Sequence, residues 1–144
     1  MSRVCGCNIP EQLYYLVEKH VWARLEGDLV VVGMTDVAQS LAKSIISVTC
    51  KRVGRSLAKG KSIGTVESSK WVGPVPAPVS GVIVEVNTEL STDPGLLNRD
   101  PYGAGWVAKL KADDWQSESV DLLTGAEGIA AYQAFLEQQG ISCE

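Results

Sequence analysis

The stretch SIGTVESSKWVGPVPAPVSGVIVEVN, residues 62–87, decides the fold. Ser62 to Glu67 alternates into a strand, and Val82 to Val86 does the same. Between them lie Gly73, Pro74, Pro76 and Pro78. Proline has no N–H to give a central ladder, so this part is predicted to be a sheet edge or irregular extended chain. The whole reads as two strands flanking an exposed connection, and that connection holds Lys70.

Outward from this segment, short strands dominate. His20 to Leu25 and Leu29 to Gly33 read as a pair joined by Gly27-Asp28, a dipeptide with turn chemistry. Thr35 is a good helix N-cap, and Val37, Ala38 and Leu41 behind it predict a short helix from about Asp36 to Lys43. Ile45 to Thr49 is β-branched and strand-like, and Trp106 to Lys111 is apolar at alternate positions. Asp93-Pro94-Gly95 and Asp100-Pro101-Tyr102-Gly103 are turn clusters. At the ends, Pro10 to Lys19 reads as a short helix, with Leu13, Leu16 and Val17 at helical spacing, and Asp121 to Gln139 is mostly helical in pattern. Short strands, Gly/Pro turns and peripheral helices predict a mainly β sandwich or barrel. A chain of 144 residues suits one domain, with 1–19 as an N-terminal extension and helix and 121–144 as a C-terminal helix and tail.

Composition narrows the function classes. Hydrophobic residues make up 45%, and no apolar run is long enough to span a membrane. The segment MSRVCGCNIPEQ lacks a signal-peptide core, so a cytoplasmic protein is expected. A net charge of −4 argues against a nucleic-acid binder. The charge is uneven, however. Lys43, Lys51, Arg52, Arg55, Lys59 and Lys61 fall in a stretch without an acid, and Asp113 to Glu127 holds five acids and no base. A basic patch able to steer an acidic partner is therefore expected. Cys5, Cys7, Cys50 and Cys143 are scattered, and in a reducing cytosol all four would be thiols.

Lys70 stands in Val66-Glu67-Ser68-Ser69-Lys70. A lysine that accepts a covalent acyl group must project into water, sit on a backbone rigid enough to be recognised as a shape, and have no neighbour that traps its ammonium. A tight connection between strands meets the first two demands. Ser68 and Ser69 leave the amine unobstructed, though Glu67 is near in sequence. Most surface lysines are simply solvated, so the position alone means little. The combined pattern carries more.

That pattern resembles the H protein of the glycine cleavage system and its relatives. The matching segments are His20-Val21-Trp22, Gly33-Met34-Thr35-Asp36-Val37-Ala38-Gln39, Val66-Glu67-Ser68-Ser69-Lys70, Pro78-Val79-Ser80-Gly81, and Asn98-Arg99-Asp100-Pro101-Tyr102-Gly103-Ala104-Gly105-Trp106. The resemblance implies a barrel-sandwich hybrid: two antiparallel sheets with the lysine on a hairpin, and N-terminal, middle and C-terminal helices outside. It implies lipoic acid amide-linked to Lys70, with Glu67, Ser68, Ser69 and Trp71 as flanking recognition residues. It further implies a non-catalytic carrier, a substrate of a lipoate ligase or lipoyl transferase, that visits partner enzymes and dihydrolipoamide dehydrogenase.

Departures from the family pattern bear on the pathway. Family members usually place an acid between the His and the Trp, where this chain has Val21, and a small residue after the lysine, where it has Trp71. Around Ser44 the usual acidic stretch is basic here. These features suit the H-protein-like lipoate-binding proteins of heterodisulfide-reductase-like sulfur oxidation, so a sulfur-bound cargo is expected. The alternatives are a glycine cleavage H protein carrying the aminomethyl group, and an unmodified scaffold or regulator of the same fold. On the sulfur reading, Val21→Glu should improve aminomethyl retention. A biotin carrier is disfavoured, since the lysine is not flanked by methionines.

Of the remaining candidates, His20 has no acid or cysteine at ligand spacing and reads as structural rather than as a metal ligand. Trp22 and Trp106 read as core or half-buried strand residues. Trp71 either packs under the hairpin or shields the arm. Cys5-Gly6-Cys7 is too small a set for zinc, and it reads as part of a mobile terminus or as a redox pair.

Overall fold

The computed structural model describes residues 2–143. In chain order the strands are β1 Ser2–Val4, β2 Cys7–Ile9, β3 Tyr14–Leu16, β4 Val21–Glu26, β5 Leu29–Met34, β6 Ile45–Cys50, β7 Ser56–Leu57, β8 Ser62–Ser68, β9 Val72–Pro76, β10 Gly81–Val86, β11 Ala108–Ala112 and β12 Leu123–Thr124. The helices are α1 Asp36–Ala42, α2 Glu89–Thr92, α3 Leu96–Arg99, α4 Trp115–Glu118 and α5 Gly125–Gln139. One sheet runs β12-β3-β4-β5-β11-β10-β7, a second runs β6-β8-β9, and β1 pairs with β2. Every pairing is antiparallel. The two larger sheets face each other as the expected barrel-sandwich hybrid, with the helices peripheral.

Strand alternation divides the interior in two. Val21, Ala23, Val30, Val32 and Met34 point inward to meet Ile63, Val66 and Val75 from the second sheet. The opposite face of β4 and β5 presents Trp22 and Val31 to a second core, built with Ile9, Tyr15, Tyr132 and Leu136. Both faces of β4 are therefore buried, and polar side chains begin only at Arg24. Trp22 lies across Gly33, where an added Cβ would come within 2.5 Å of the indole. Its Nε1–H donates to the Met34 and Pro101 carbonyls at 3.1 and 3.0 Å.

Several expectations are corrected. Residues 10–19 are not a helix: Tyr14–Leu16 is a strand, followed by a single 3-10 turn at Val17–Lys19. The decisive signal is the period-2 burial of Leu13 and Tyr15, since Tyr15 pairs with Trp22 across the ladder. That register outweighs a weak helical pattern. The C-terminal helix starts at Gly125 rather than Asp121, because Leu123–Thr124 adds a strand against Tyr14 and Tyr15. The strand expected from Trp106 runs Ala108–Ala112. The N-terminus is not a mobile thiol segment. It forms a hairpin through Cys5, at φ 50°, and Gly6, at φ 81°. Cys7 is joined to Cys143 by a disulfide, and only Cys5 and Cys50 are free.

Motifs far from Lys70 hold the frame around it. Asn98 donates to the Gln39 side chain and the Lys43 carbonyl and accepts from the Ile45 N–H, which fixes the passage from α1 into β6. Thr35 caps α1 through the Ala38 N–H, as expected. The buried Asn87 donates to the Ala104 and Trp106 carbonyls, both at 2.7 Å.

Candidate functional site

Lys70 sits at the tip of the β8–β9 hairpin. The expected partner strand is corrected here. Val82 to Val86 belongs to β10 in the other sheet, whereas β8 pairs with β9, in which Thr65 faces Pro74 and Ser62 faces Pro76. Two prolines are tolerated because β9 is an edge, bonded only to β8. Across the tip, the Ser68 hydroxyl accepts from the Lys70 and Trp71 N–H groups at 3.2 and 3.0 Å. Ser68 N–H donates to the Trp71 carbonyl at 2.7 Å, and Ser69 N–H reaches the Ser44 carbonyl at 3.2 Å. The tip is therefore anchored both within itself and to the residue that leads into β6.

This geometry sorts the flanking residues. Ser68 is buried and acts as the turn's internal post, so its side chain is not offered to an incoming enzyme. Glu67, Ser69, Lys70 and Trp71 are exposed. Among the described residues Lys70 has no ion pair. Trp71 lies over its own strand, where a Cβ at Gly73 would overlap the indole, and it remains 40% exposed. Packing and flanking the lysine are thus the same position.

Beside Lys70 runs a cleft of about 570 Å³. Trp71, Pro74 and Pro76 form one wall, and Met34, Ala38, Leu41 and Ala42 form the other. Glu18, Lys19 and His20 also line it. The lining is mostly hydrocarbon, and Lys70 is part of it. A long apolar acyl chain that ends in a compact, uncharged ring fits both features. On this ground the residues present fit a lipoyl group.

His20 is structural, as expected. Its Nδ1 is 2.7 Å from the Tyr132 hydroxyl, which lies 2.9 Å from the Thr35 hydroxyl. The ring stacks on Tyr132 and meets Phe135 edge-on. Burial lowers its pKa from 6.5 to about 4. Among the described residues no group of three or more His, Cys, Asp or Glu could hold a metal.

Because the folded pKa lies below the unfolded value, protonation favours the unfolded chain. Neutral His20 supports the fold fully above about pH 6.5, and that support is lost as pH falls towards 4. Urea unfolding at pH 7 and pH 4.5 should show this against His20→Asn, which tolerates the left-handed backbone at φ 57°. The wild type should lose on the order of 2 kcal/mol more than the variant over that interval. Equal losses would remove His20 as a source of acid sensitivity.

Two of the features that suggested a sulfur cargo change meaning here. Val21 is wholly buried between the sheets and is not itself part of the cleft lining, although Met34, Ala38 and Ala42 of the same core are. The carboxylate on the cleft wall is Glu18, which sequence reading missed. Only the 3-10 turn brings it there, and a helix over residues 10–19 would not reveal it. The basic stretch is also less of a patch than its composition predicts. Lys59 is held by Asp121 at 2.5 Å and by the Glu118 carbonyl at 2.8 Å, both from the acidic stretch. Lys51 follows β6 opposite Ile63, at the far end of the sheet from the lysine.

Comparison with known proteins finds relatives that span nearly the whole chain. The family model for the glycine cleavage H-protein matches residues 13–138. A probable glycine cleavage system H protein 2 from Sulfolobus acidocaldarius is 44% identical over 96% of this chain and 95% of its own length. The glycine cleavage system H protein 2 of Aquifex aeolicus is 42% identical over 96% of this chain and 86% of its own. Among solved structures, a glycine cleavage system H protein from Mycobacterium marinum superposes with a TM-score of 0.74 at 34% identity, over 92% of this chain and 100% of that one.

Proposed function

The chain belongs to the glycine cleavage H-protein family, whose members are non-catalytic carriers of lipoic acid on a lysine, and from this premise we propose that the acceptor is Lys70. The observation that carries the assignment is the union, at one residue, of an exposed amine with no ion pair among the described residues, a pinned hairpin tip and an adjoining apolar cleft. When bound, lipoate supplies a dithiolane able to accept and release a sulfur-bound group. The chain's own residues hold the tip at a fixed angle, offer the amine to a lipoate ligase or transferase, and give the arm an apolar recess between visits. Tethering raises the local concentration of cargo at each docked enzyme.

For the cargo, the aminomethyl group of glycine cleavage is the better-supported reading. The relatives' names point that way, and Glu18 in the cleft lining offers an anionic partner for a cationic amine. Glycine cleavage enzymes and dihydrolipoamide dehydrogenase are then the partners. A sulfur-bound cargo is the second reading, favoured by the otherwise apolar lining and by Trp71 beside the lysine. Glycine–bicarbonate exchange with glycine decarboxylase separates the two. The lipoylated protein should support exchange, and Glu18→Gln should lower it about two- to fivefold, the worth of one exposed ion pair. Full lipoylation without exchange would contradict the aminomethyl reading and favour the sulfur one. No helix among the described residues is long and apolar enough to cross a membrane.

A further inference from the structure

The disulfide between Cys7 and Cys143 links residues 136 positions apart, and its surroundings connect it to the cleft beside Lys70. Two routes lead there. On the first, the hairpin that carries Cys7 reaches the start of α1. Asn8 N–H donates to Asp36 Oδ2 at 2.8 Å, while Tyr102 donates to the Asn8 carbonyl and accepts from the Asp36 N–H. On the second, α5, which ends just before Cys143, places the Tyr132 hydroxyl against Thr35 and His20. Both routes converge on the N-terminus of α1, and α1 supplies Ala38, Leu41 and Ala42 to the cleft wall. The hairpin and the exit of α5 are joined to each other by this covalent bond, by the Cys143 N–H to Cys5 carbonyl bond of 3.0 Å, and by the small second core.

We infer that Cys7–Cys143 is a redox-sensitive brace on the lysine's cleft, opened by a 1,3-dithiol. The two sulfurs are unequally accessible: Cys7 is fully buried and Cys143 is partly exposed. A thiolate of the dithiol therefore attacks Cys143 Sγ. The S–S bond breaks, a mixed disulfide forms on Cys143, and Cys7 leaves as a thiolate and takes a proton. The second thiol of the dithiol then displaces Cys143 and closes its own ring, and Cys143 takes the second proton. The protein gains two electrons and two protons, and the dithiol leaves as a cyclic disulfide. The main core between the sheets contains neither cysteine, so it survives reduction, whereas the hairpin, α1 and the cleft wall loosen. The cleft's purpose rests on the reading of Lys70, but the brace itself does not.

The test uses the unlipoylated full chain and dihydrolipoamide as the dithiol. Differential alkylation should find Cys7 and Cys143 blocked before treatment and labelled together after it, with Cys5 as a reference thiol. Hydrogen exchange in residues 2–9 and 36–42 should then rise about tenfold while β8, β10 and β11 keep their protection. Cys143→Ser should show the same rise without reductant, and Cys50→Ser should not. Should Cys143→Ser fail to fold, reduction of the wild type carries the test alone. The chain carries no lipoyl group in this test, so a wrong lipoyl assignment would not mimic failure of the brace. Labelling of both cysteines before treatment, or reduction with exchange in 36–42 unchanged, would overturn the inference.

Discussion

Lys70→Arg is expected to abolish acylation by lipoate ligase completely while leaving the unfolding midpoint unchanged. The side chain is exposed and makes no ion pair among the described residues. The turn is held by the backbone and by Ser68, which the substitution leaves alone. Guanidinium keeps the charge but stays protonated and is a poor nucleophile towards an activated acid. Labelled lipoate, purified ligase and a thermal melt of both proteins suffice. Residual labelling of the variant would place the acceptor elsewhere. A lowered midpoint would mean that Lys70 is structural.

Val21→Glu is expected to be severely destabilising, the opposite of what the motif comparison suggests. Val21 has no exposed surface and is packed with Ala23, Val32 and Met34 between the sheets. A carboxyl group there would be overpacked and unsolvated, and among the described residues no basic side chain is buried. Unpaired burial of this kind costs about 4 kcal/mol or more. That is a large part of the roughly 5–15 kcal/mol that holds a domain folded. The midpoint should fall by about 8–16 °C in a chain of this size, with Val21→Ile near the wild type. A melt equal to the wild type, together with tighter retention of aminomethyl cargo, would show that position 21 reaches the cleft after all.

Local chemistry made part of this molecule legible. Gly27-Asp28 closes its hairpin with Gly27 at φ 63°, Thr35 caps its helix, and Lys70 lies on an exposed connection, because each depends on residues within a few positions. What escaped depends on distant partners. Tyr15 becomes a strand residue only when Trp22 lies opposite it. Pro74 and Pro76 enter a ladder only because no third strand follows β9. Cys7 and Cys143 meet only after α5 has returned to the first hairpin, and a pairing across nearly the whole chain leaves no local trace. Motif comparison identified position 21 but not its direction. In a strand buried on both faces the adjacent His and Trp do not reveal which way the residue between them points. Glu18 had the converse difficulty: its chemistry was plain, and its place depended on a 3-10 turn.

The site assignment turns on where the acyl group goes. The most direct measurement is peptide mapping by mass spectrometry of the full chain co-expressed with a lipoate ligase. The account predicts one lipoyl group per chain, on the peptide containing Lys70, with Lys43, Lys51, Lys59 and Lys61 unmodified. A chain that stays unmodified, or a lipoyl group on any other lysine, would contradict it.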